Sequence, residues 1–250
     1  MDSLPQELID EIINHLPPRD NKSFRYCSLV ARSWRYTSQK RLVEFIEARA
    51  GWLRQLLDDI SQSSGVLLQQ VRSLTCSREK LWAVGPTYDA LSNHFRSLNK
   101  LENFTLRKTY LRSVSLDVEL FAAFKLALST ITLELCTVSI SALVVLINYF
   151  PKLECLCLRG LSCDELDEEA PPIFRPLLGR LYISEGYRNV PDLLDELWNL
   201  GLRVDEVAFE PVFVSGTQWT TFANRVVRTF GTSAKRLRLP KALEGMWNLH

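Results

Sequence analysis

Leu153-Glu154-Cys155-Leu156-Cys157-Leu158 carries leucine at its first, fourth and sixth positions, with other residue types between. In an extended chain successive side chains point to opposite faces, so Leu156 and Leu158 share one face and Cys155 and Cys157 the other. The hexamer recurs in both directions. Upstream it reads Val71-x-x-Leu74-x-Cys76, Leu101-x-x-Phe104-x-Leu106 and Thr130-x-x-Leu133-x-Leu135. Downstream it reads Leu178-x-x-Leu181-x-Ile183, Val204-x-x-Val207-x-Phe209 and Ala234-x-x-Leu237-x-Leu239. The start-to-start steps are 30, 29, 23, 25, 26 and 30 residues, and Leu42-x-x-Phe45 reads as a degenerate eighth member 29 residues before Val71.

Between hexamers lie stretches with helical spacing: Tyr88–Leu98, Val118–Leu128, Ile140–Phe150, Val190–Leu200 and Trp219–Phe230. One short strand and one helix per 23 to 30 residues predicts an α/β solenoid in which parallel strands stack in chain order. The competing architecture is a doubly wound α/β domain. Its strands are buried on both faces and read as continuous apolar runs, whereas these alternate. It also tends to carry a Gly-rich phosphate turn, and the chain has none. From about 42 to 240 the chain resembles the leucine-rich-repeat family, as an irregular array in which the family's Asn or Cys after the hexamer is mostly missing. The chain ends eleven residues after Leu239, which predicts an array without a full polar cap.

The first 41 residues follow another pattern. Leu4, Leu8, Ile9, Ile12, Ile13 and Leu16 repeat at helical spacing and cover an arc of about 180°, wider than one neighbour needs. Pro5 suits a first turn, Ser3 and Gln6 a capping box, and Pro17-Pro18 a stop. Asp20 or Asn21 is placed to cap a second helix with Phe24, Cys27 and Ala31 on one face, and Trp34 falls in a third short helical piece. So small a unit makes a poor core alone, and its wide arc wants a second surface. Either the following domain or a separate protein supplies it.

Leu4-Pro5-x-Glu7-Leu8-x-x-x-Ile12-Ile13-x-x-Leu16, followed by Cys27-x-x-Val30-x-Arg32-x-Trp34, resembles the F-box family. Asn21-Lys22-Ser23-Phe24 stands where members usually carry an acidic-Leu-Leu-like step, and Leu29-Val30-Ala31 replaces their Val-Cys. The resemblance implies a non-catalytic subunit of a cullin–RING ubiquitin ligase. Its first partner would be a Skp-type adaptor, held by Leu4, Pro5, Leu8, Ile9, Ile12, Ile13, Leu16, Val30 and Trp34. Residues 1–41 would be the adaptor motif, and 42–250 the array that binds a protein substrate. The alternatives are a scaffold whose helices merely cap the solenoid, and a DNA-reading unit using Arg19, Lys22, Arg25, Arg32, Arg35, Lys40 and Arg41. Acids at 2, 7, 10, 11 and 20 offset most of that charge.

Alternation also assigns the open sheet face: Ser73, Thr75, Ser77; Asn103, Thr105, Arg107; Thr132, Glu134, Cys136; Cys155, Cys157, Arg159; Arg180, Tyr182, Ser184; Glu206, Ala208, Glu210; and Arg236, Arg238. From this row Arg107, Glu134, Arg159, Arg180, Tyr182, Glu206, Arg236 and Arg238 are the candidate substrate contacts. Arg and Tyr are enriched at binding hot spots.

Composition fits a globular protein: 46% hydrophobic, 24% charged and net charge +1. No global field favours nucleic acid or an anionic membrane. The most apolar run, Ala142 to Ile147, falls far short of a membrane span, and the acidic, helical N-terminus is unlike a signal peptide. Six scattered cysteines inside apolar runs read as reduced, buried thiols, so cytoplasm or nucleus is expected. Three histidines and no nucleophile elbow, zincin motif or phosphate loop leave no catalytic residue to nominate. Cys155-x-Cys157 with Cys163 lacks the spacing and second ligand pair of a zinc site, so neither metal nor cofactor is expected. The acidic run at 164, 165 and 167–169 reads as an exposed loop, and the basic residues at 225, 228, 235, 236, 238 and 241 as a solvated face.

Overall fold

The computed structural model describes residues 4–17, 20–48, 52–63, 65–77, 94–111, 118–163, 172–173, 177–184, 190–209, 224–231 and 234–238. Three helices come first: α1 (Gln6–His15), α2 (Asn21–Val30) and α3 (Arg32–Glu44). Pro5 is the N-cap of α1 rather than part of its first turn; the expected partner Ser3 lies outside the described residues. Asp20 caps α2 by accepting a bond from the Ser23 N–H at 3.0 Å. The helix holding Trp34 is the longest of the three, at 13 residues, and leads straight into β1 (Phe45–Ala48).

The remainder is an α/β coil. After β1 come α4 (Leu53–Ser63), α5 (Gly65–Leu68), β2 (Ser73–Ser77), β3 (Asn103–Arg107) and β4 (Tyr110–Leu111). A 3₁₀ helix at Val118–Phe124 follows, where the spacing predicted an α-helix to Leu128. Next are β5 (Thr130–Glu134), β6 (Thr137–Val138), α6 (Ile140–Tyr149), β7 (Cys155–Arg159) and β8 (Ser162–Cys163). The chain continues through β9 (Leu177–Ile183), α7 (Val190–Asn199), β10 (Arg203–Phe209), helical residues 224–230 and β11 (Arg236–Arg238). The predicted helical residues 88–93 and 219–223 lie outside the described residues.

Eight strands form one parallel sheet in the order β1-β2-β3-β5-β7-β9-β10-β11, so each repeat touches its sequence neighbours. Leu156 pairs with Ile131 on one side and Leu181 on the other. The hexamer frame holds at Val71, Leu101, Leu153, Leu178 and Val204, whose first, fourth and sixth side chains are all buried.

Two frames are corrected. β1 aligns Ile46 with Leu74 and Ala48 with Cys76, so the first repeat is Val43-x-x-Ile46-x-Ala48, one residue later than Leu42-x-x-Phe45. In β5, Ile131 faces Phe104 and Leu133 faces Leu106; the repeat is Leu128-x-x-Ile131-x-Leu133, two residues earlier than the Thr130 frame. Leu135 is accordingly exposed, and Cys136, expected on the open face, is buried in the core.

With that frame, three repeats superpose through their next five residues. Lys108, Leu135 and Gly160 turn the chain with φ of 55°, 54° and 56°. Thr109, Cys136 and Leu161 then point inward, and β4, β6 and β8 form a second short parallel sheet. Cys136 Sγ donates to the Leu106 carbonyl of the preceding repeat at 3.3 Å, which ties two coils together. The core between sheet and helices holds Phe95, Phe104, Phe121, Phe124 and Phe150, with the Phe124 ring centroid 6.1, 6.1, 5.6 and 6.2 Å from those of Phe95, Phe104, Phe121 and Phe150. At the far end Leu237 is exposed and Leu239 lies outside the described residues.

Candidate functional site

Two surfaces stand out, one on the helical unit and one on the sheet. The unit has its own small core of Ile9, Ile13 and Phe24, flanked by half-buried Leu16, Trp34 and Leu42. At 100° per residue from Leu4, Leu8 and Ile12 fall at about 40° and 80°, Leu16 at about 120°, and Ile9 and Ile13 at about 140° and 180°. Burial follows that angle. Leu8 and Ile12 are 45% and 44% exposed and Leu4 is also exposed, Leu16 is half-buried, and Ile9 and Ile13 are fully enclosed.

Ile9 and Ile13, also expected among the adaptor contacts, are enclosed here and pack in one cluster with Phe24. On α2, Val30 is 67% and Leu29 77% exposed, with Tyr26 exposed as well. Leu29 and Tyr26 were not singled out from the sequence. The available signal was that both lie off the Phe24/Cys27 stripe. α3 is tied to α1 by Thr37 Oγ1, which donates to Asp10 Oδ1 at 2.7 Å. α3 also packs on α5 and β1, and Glu44 at its end meets Arg72 at 3.5 Å. The helical unit is thus fixed to the first coil while Leu8 and Ile12 of α1 and Tyr26, Leu29 and Val30 of α2 remain uncovered.

On the sheet, register sorts the outward side chains into rows. One runs Ser73, Asn103, Thr130, Cys155, Arg180, Glu206, Arg236. The next runs Glu47, Thr75, Thr105, Thr132, Cys157, Tyr182, Ala208, Arg238. A third runs Ser77, Arg107, Glu134, Arg159. A groove of about 540 Å³ crosses β1 to β7, floored by the hydroxyl and amide groups of the first two rows and bordered by Glu47, Arg107, Glu134 and Arg159.

Within that border Arg107 bonds Glu47 at 2.8 Å and Glu134 at 3.0 Å. Burial works against its charge, but Glu134 and Glu47 more than offset this and hold the guanidinium above its ordinary pKa. Past β7 the face becomes cationic. Arg180 and Arg238 both reach Glu206, and Arg180 lies 5.6 Å from the Tyr182 ring centre. Glu206, nominally an outward residue, is nearly fully buried because these arginines cover it. The candidate contacts therefore separate into a paired border (Arg107, Glu134), with Arg159 beside it in register, and an Arg180–Tyr182–Glu206–Arg236–Arg238 cluster. Glu210 lies outside the described residues.

Cys155 and Cys157 share the open face with sulfurs 3.7 Å apart, while Cys163 belongs to the core, so the three do not converge. Contact with Cys157 and then burial keep the Cys155 thiol well above its ordinary pKa, a protonated and poorly ligating state at neutral pH. Among the described residues no group of three or more His, Cys, Asp or Glu could hold a metal ion. His94 lies 2.6 Å from Asp58 and links α4 to the next coil.

Several basic residues near the C-terminus are committed to neighbours. Arg225 meets Asp192 and Asp195, and Lys235 meets Asp205 at 2.9 Å. The acidic run at 164–169 lies outside the described residues. No helix among the described residues is long and apolar enough to cross a membrane.

No curated protein matches the chain. The F-box domain family matches residues 1–45, the span of α1, α2 and α3. A three-helix unit with a private core, exposed leucine and isoleucine on two helices, and this match together identify residues 1–45 as an F-box domain.

Proposed function

We propose that this chain is the substrate-receptor subunit of a Skp–cullin–F-box ubiquitin ligase. Its F-box domain binds the Skp-type adaptor, and the coil behind it, which we read as a leucine-rich-repeat array, binds a protein substrate. The observation that carries this is the set of uncovered apolar side chains on the F-box domain. Leu4, Leu8, Ile12, Leu29 and Val30 stay exposed although a large hydrophobic core lies close by in the same chain. Burying each such side chain is worth roughly 1.5–3 kcal/mol, enough for a few of them to anchor a partner. The frame Leu128-x-x-Ile131-x-Leu133-x-x-Cys136-x-Val138 supports the repeat reading, since it restores the family's Cys position. The receptor performs no chemistry; it raises the effective concentration of a bound substrate at the ligase. Free, mostly buried thiols suit work in the cytoplasm or nucleus.

A second reading, in which the helices only cap the solenoid, draws on the packing of α3 against α5 and β1. One experiment separates the two. Leu8→Asp/Ile12→Asp replaces exposed side chains, so the unfolding free energy from urea titration is expected to stay within about 0.5 kcal/mol of the parent while co-purification with the adaptor is lost. Ile13→Ala empties a core position and should cost roughly 2–5 kcal/mol. If Leu8→Asp/Ile12→Asp destabilises the chain as Ile13→Ala does, or binding survives it, the cap reading wins.

A further inference from the structure

Strand β7 carries two thiols on the open face, Cys155 and Cys157, with their sulfurs 3.7 Å apart. Neither is in a disulfide. Pairing with β5 and β9 holds the strand from both sides. Thr130 and Arg180 stand beside Cys155 in register, and Thr132 and Tyr182 beside Cys157. Cys157 is 8% exposed, so a small reagent enters past the half-buried Cys155.

The spacing does not suit a direct sulfur–sulfur bond. Two residues of strand advance the chain by about 6.4–6.8 Å, and side chains at i and i+2 leave it in parallel. Disulfides need Cβ atoms roughly 3.5–4.5 Å apart. Oxidation would therefore bend a strand that is paired along both edges. One larger atom between the sulfurs removes that strain. An atom bonding two sulfurs at about 2.3 Å, as in zinc thiolates, with an angle of about 90–110°, holds them about 3.3–3.8 Å apart. The two thiols stand at that separation already.

The chemistry of the pair narrows the choice of atom. Metal cations bind thiolates and, in structural zinc sites, take four ligands. Contact with Cys157 and burial keep Cys155 protonated, and among the described residues no third His, Cys, Asp or Glu completes a cation site. Trivalent arsenic needs neither condition. Arsenous acid is uncharged at neutral pH, and each thiol proton leaves with an arsenic-bound hydroxide as water: As(OH)3 + 2 RSH → RS–As(OH)–SR + 2 H2O. Two S–H and two As–O bonds break, two As–S and two O–H bonds form, and no element changes oxidation state.

We propose that Cys155 and Cys157 form a preset two-thiol site for trivalent arsenic, independent of the receptor reading. The paired strand holds both sulfurs in place beforehand, which cuts the ordering cost of closing the chelate. Cys163 belongs to the core and does not converge on the pair, so the adduct keeps one hydroxyl on arsenic.

The test incubates the full chain with arsenous acid in excess glutathione, a monothiol that competes away single-sulfur adducts, and records native mass spectra. One adduct is expected, heavier than the parent by AsOH less two hydrogens. Cys155→Ser and Cys157→Ser should each abolish it and Cys27→Ser should retain it, with circular dichroism checking that the variants fold. Cys155→Ser, at the half-buried position, decides alone if Cys157→Ser does not fold. The short peptide 153–159 has the same two cysteines without the sheet, and should bind at least about tenfold more weakly.

No adduct in the parent, an adduct surviving in a folded β7 variant, or one that has lost all three hydroxyls would overturn the site. Equal affinity in the peptide would overturn the role of the strand in presetting it. A stoichiometric zinc ion held by the parent and lost in Cys155→Ser would overturn the assignment to arsenic in favour of metal cations.

Discussion

Lys108, Leu135 and Gly160 hold the same place in three successive coils, and all three adopt left-handed backbone. A side chain in that conformation costs roughly 1–2 kcal/mol, glycine nothing, and asparagine less than most. The turn is required because the chain must pass from the long sheet to the short one, where Lys108 N–H bonds the Glu134 carbonyl and Leu135 N–H the Arg159 carbonyl. Lys108 is exposed, so Lys108→Asn gives up little packing and should stabilise the protein by roughly 0.5–1 kcal/mol. Gly160→Ala should destabilise it by roughly 1–2 kcal/mol. Urea unfolding midpoints of both variants check the signs; a Gly160→Ala protein as stable as its parent would show that this turn is not constrained.

Among the elements, the F-box helices depend on two carboxylates. Asp10 accepts from Thr37 and from Gln6, which joins α1 to α3, and Asp20 caps α2 through Ser23. The Thr37 hydroxyl is the main reason that Asp10 lies below its ordinary pKa, and the Ser23 side chain, then its N–H, lowers Asp20. A carboxylate whose folded pKa is lowered adds stability that is present above its unfolded pKa and lost as pH falls through the folded one. The helical unit should therefore loosen as pH drops below the ordinary carboxylate range. Replacing both residues with Asn should flatten that part of the pH dependence. Far-ultraviolet circular dichroism melts across an acid series measure it, and an unchanged profile in the double variant would assign acid sensitivity to other groups.

Over the whole molecule, stability follows from stacking. Each coil buries its leucines and phenylalanines against the next, and the aromatic ladder from Phe95 to Phe150 joins the coils of β3, β5 and β7. Phe124→Ala should cost roughly 3–5 kcal/mol. In a one-dimensional stack this loss is felt first by neighbours. Hydrogen exchange should quicken most in β3, β5 and β7 and least in β1 and β10. Equal loss of protection in every strand would mean that the array unfolds as one unit.

Periodicity alone was enough to read α1, α2, the helices after β5 and β9, and most of the strands, because periods of 2 and 3.6 are written in consecutive residues. Other features required neighbours. Leu128-x-x-Ile131-x-Leu133 and Thr130-x-x-Leu133-x-Leu135 have the same parity, so only pairing with Phe104 and Leu106 decides between them. At β1 a one-residue slip exchanged the faces, and pairing with Leu74 corrected it. The arc of α1 was legible, but which edge is bare was set by Phe24 and Trp34 from two other helices. Glu206 sits at an outward position by alternation and is buried by arginines from strands on either side. The sequence by itself determined which elements form and that strands repeat, since those depend on local spacing. Register, the exposed edge of α1 and the arginine cluster were decided only in the tertiary structure, because each depends on which distant residues arrive beside it.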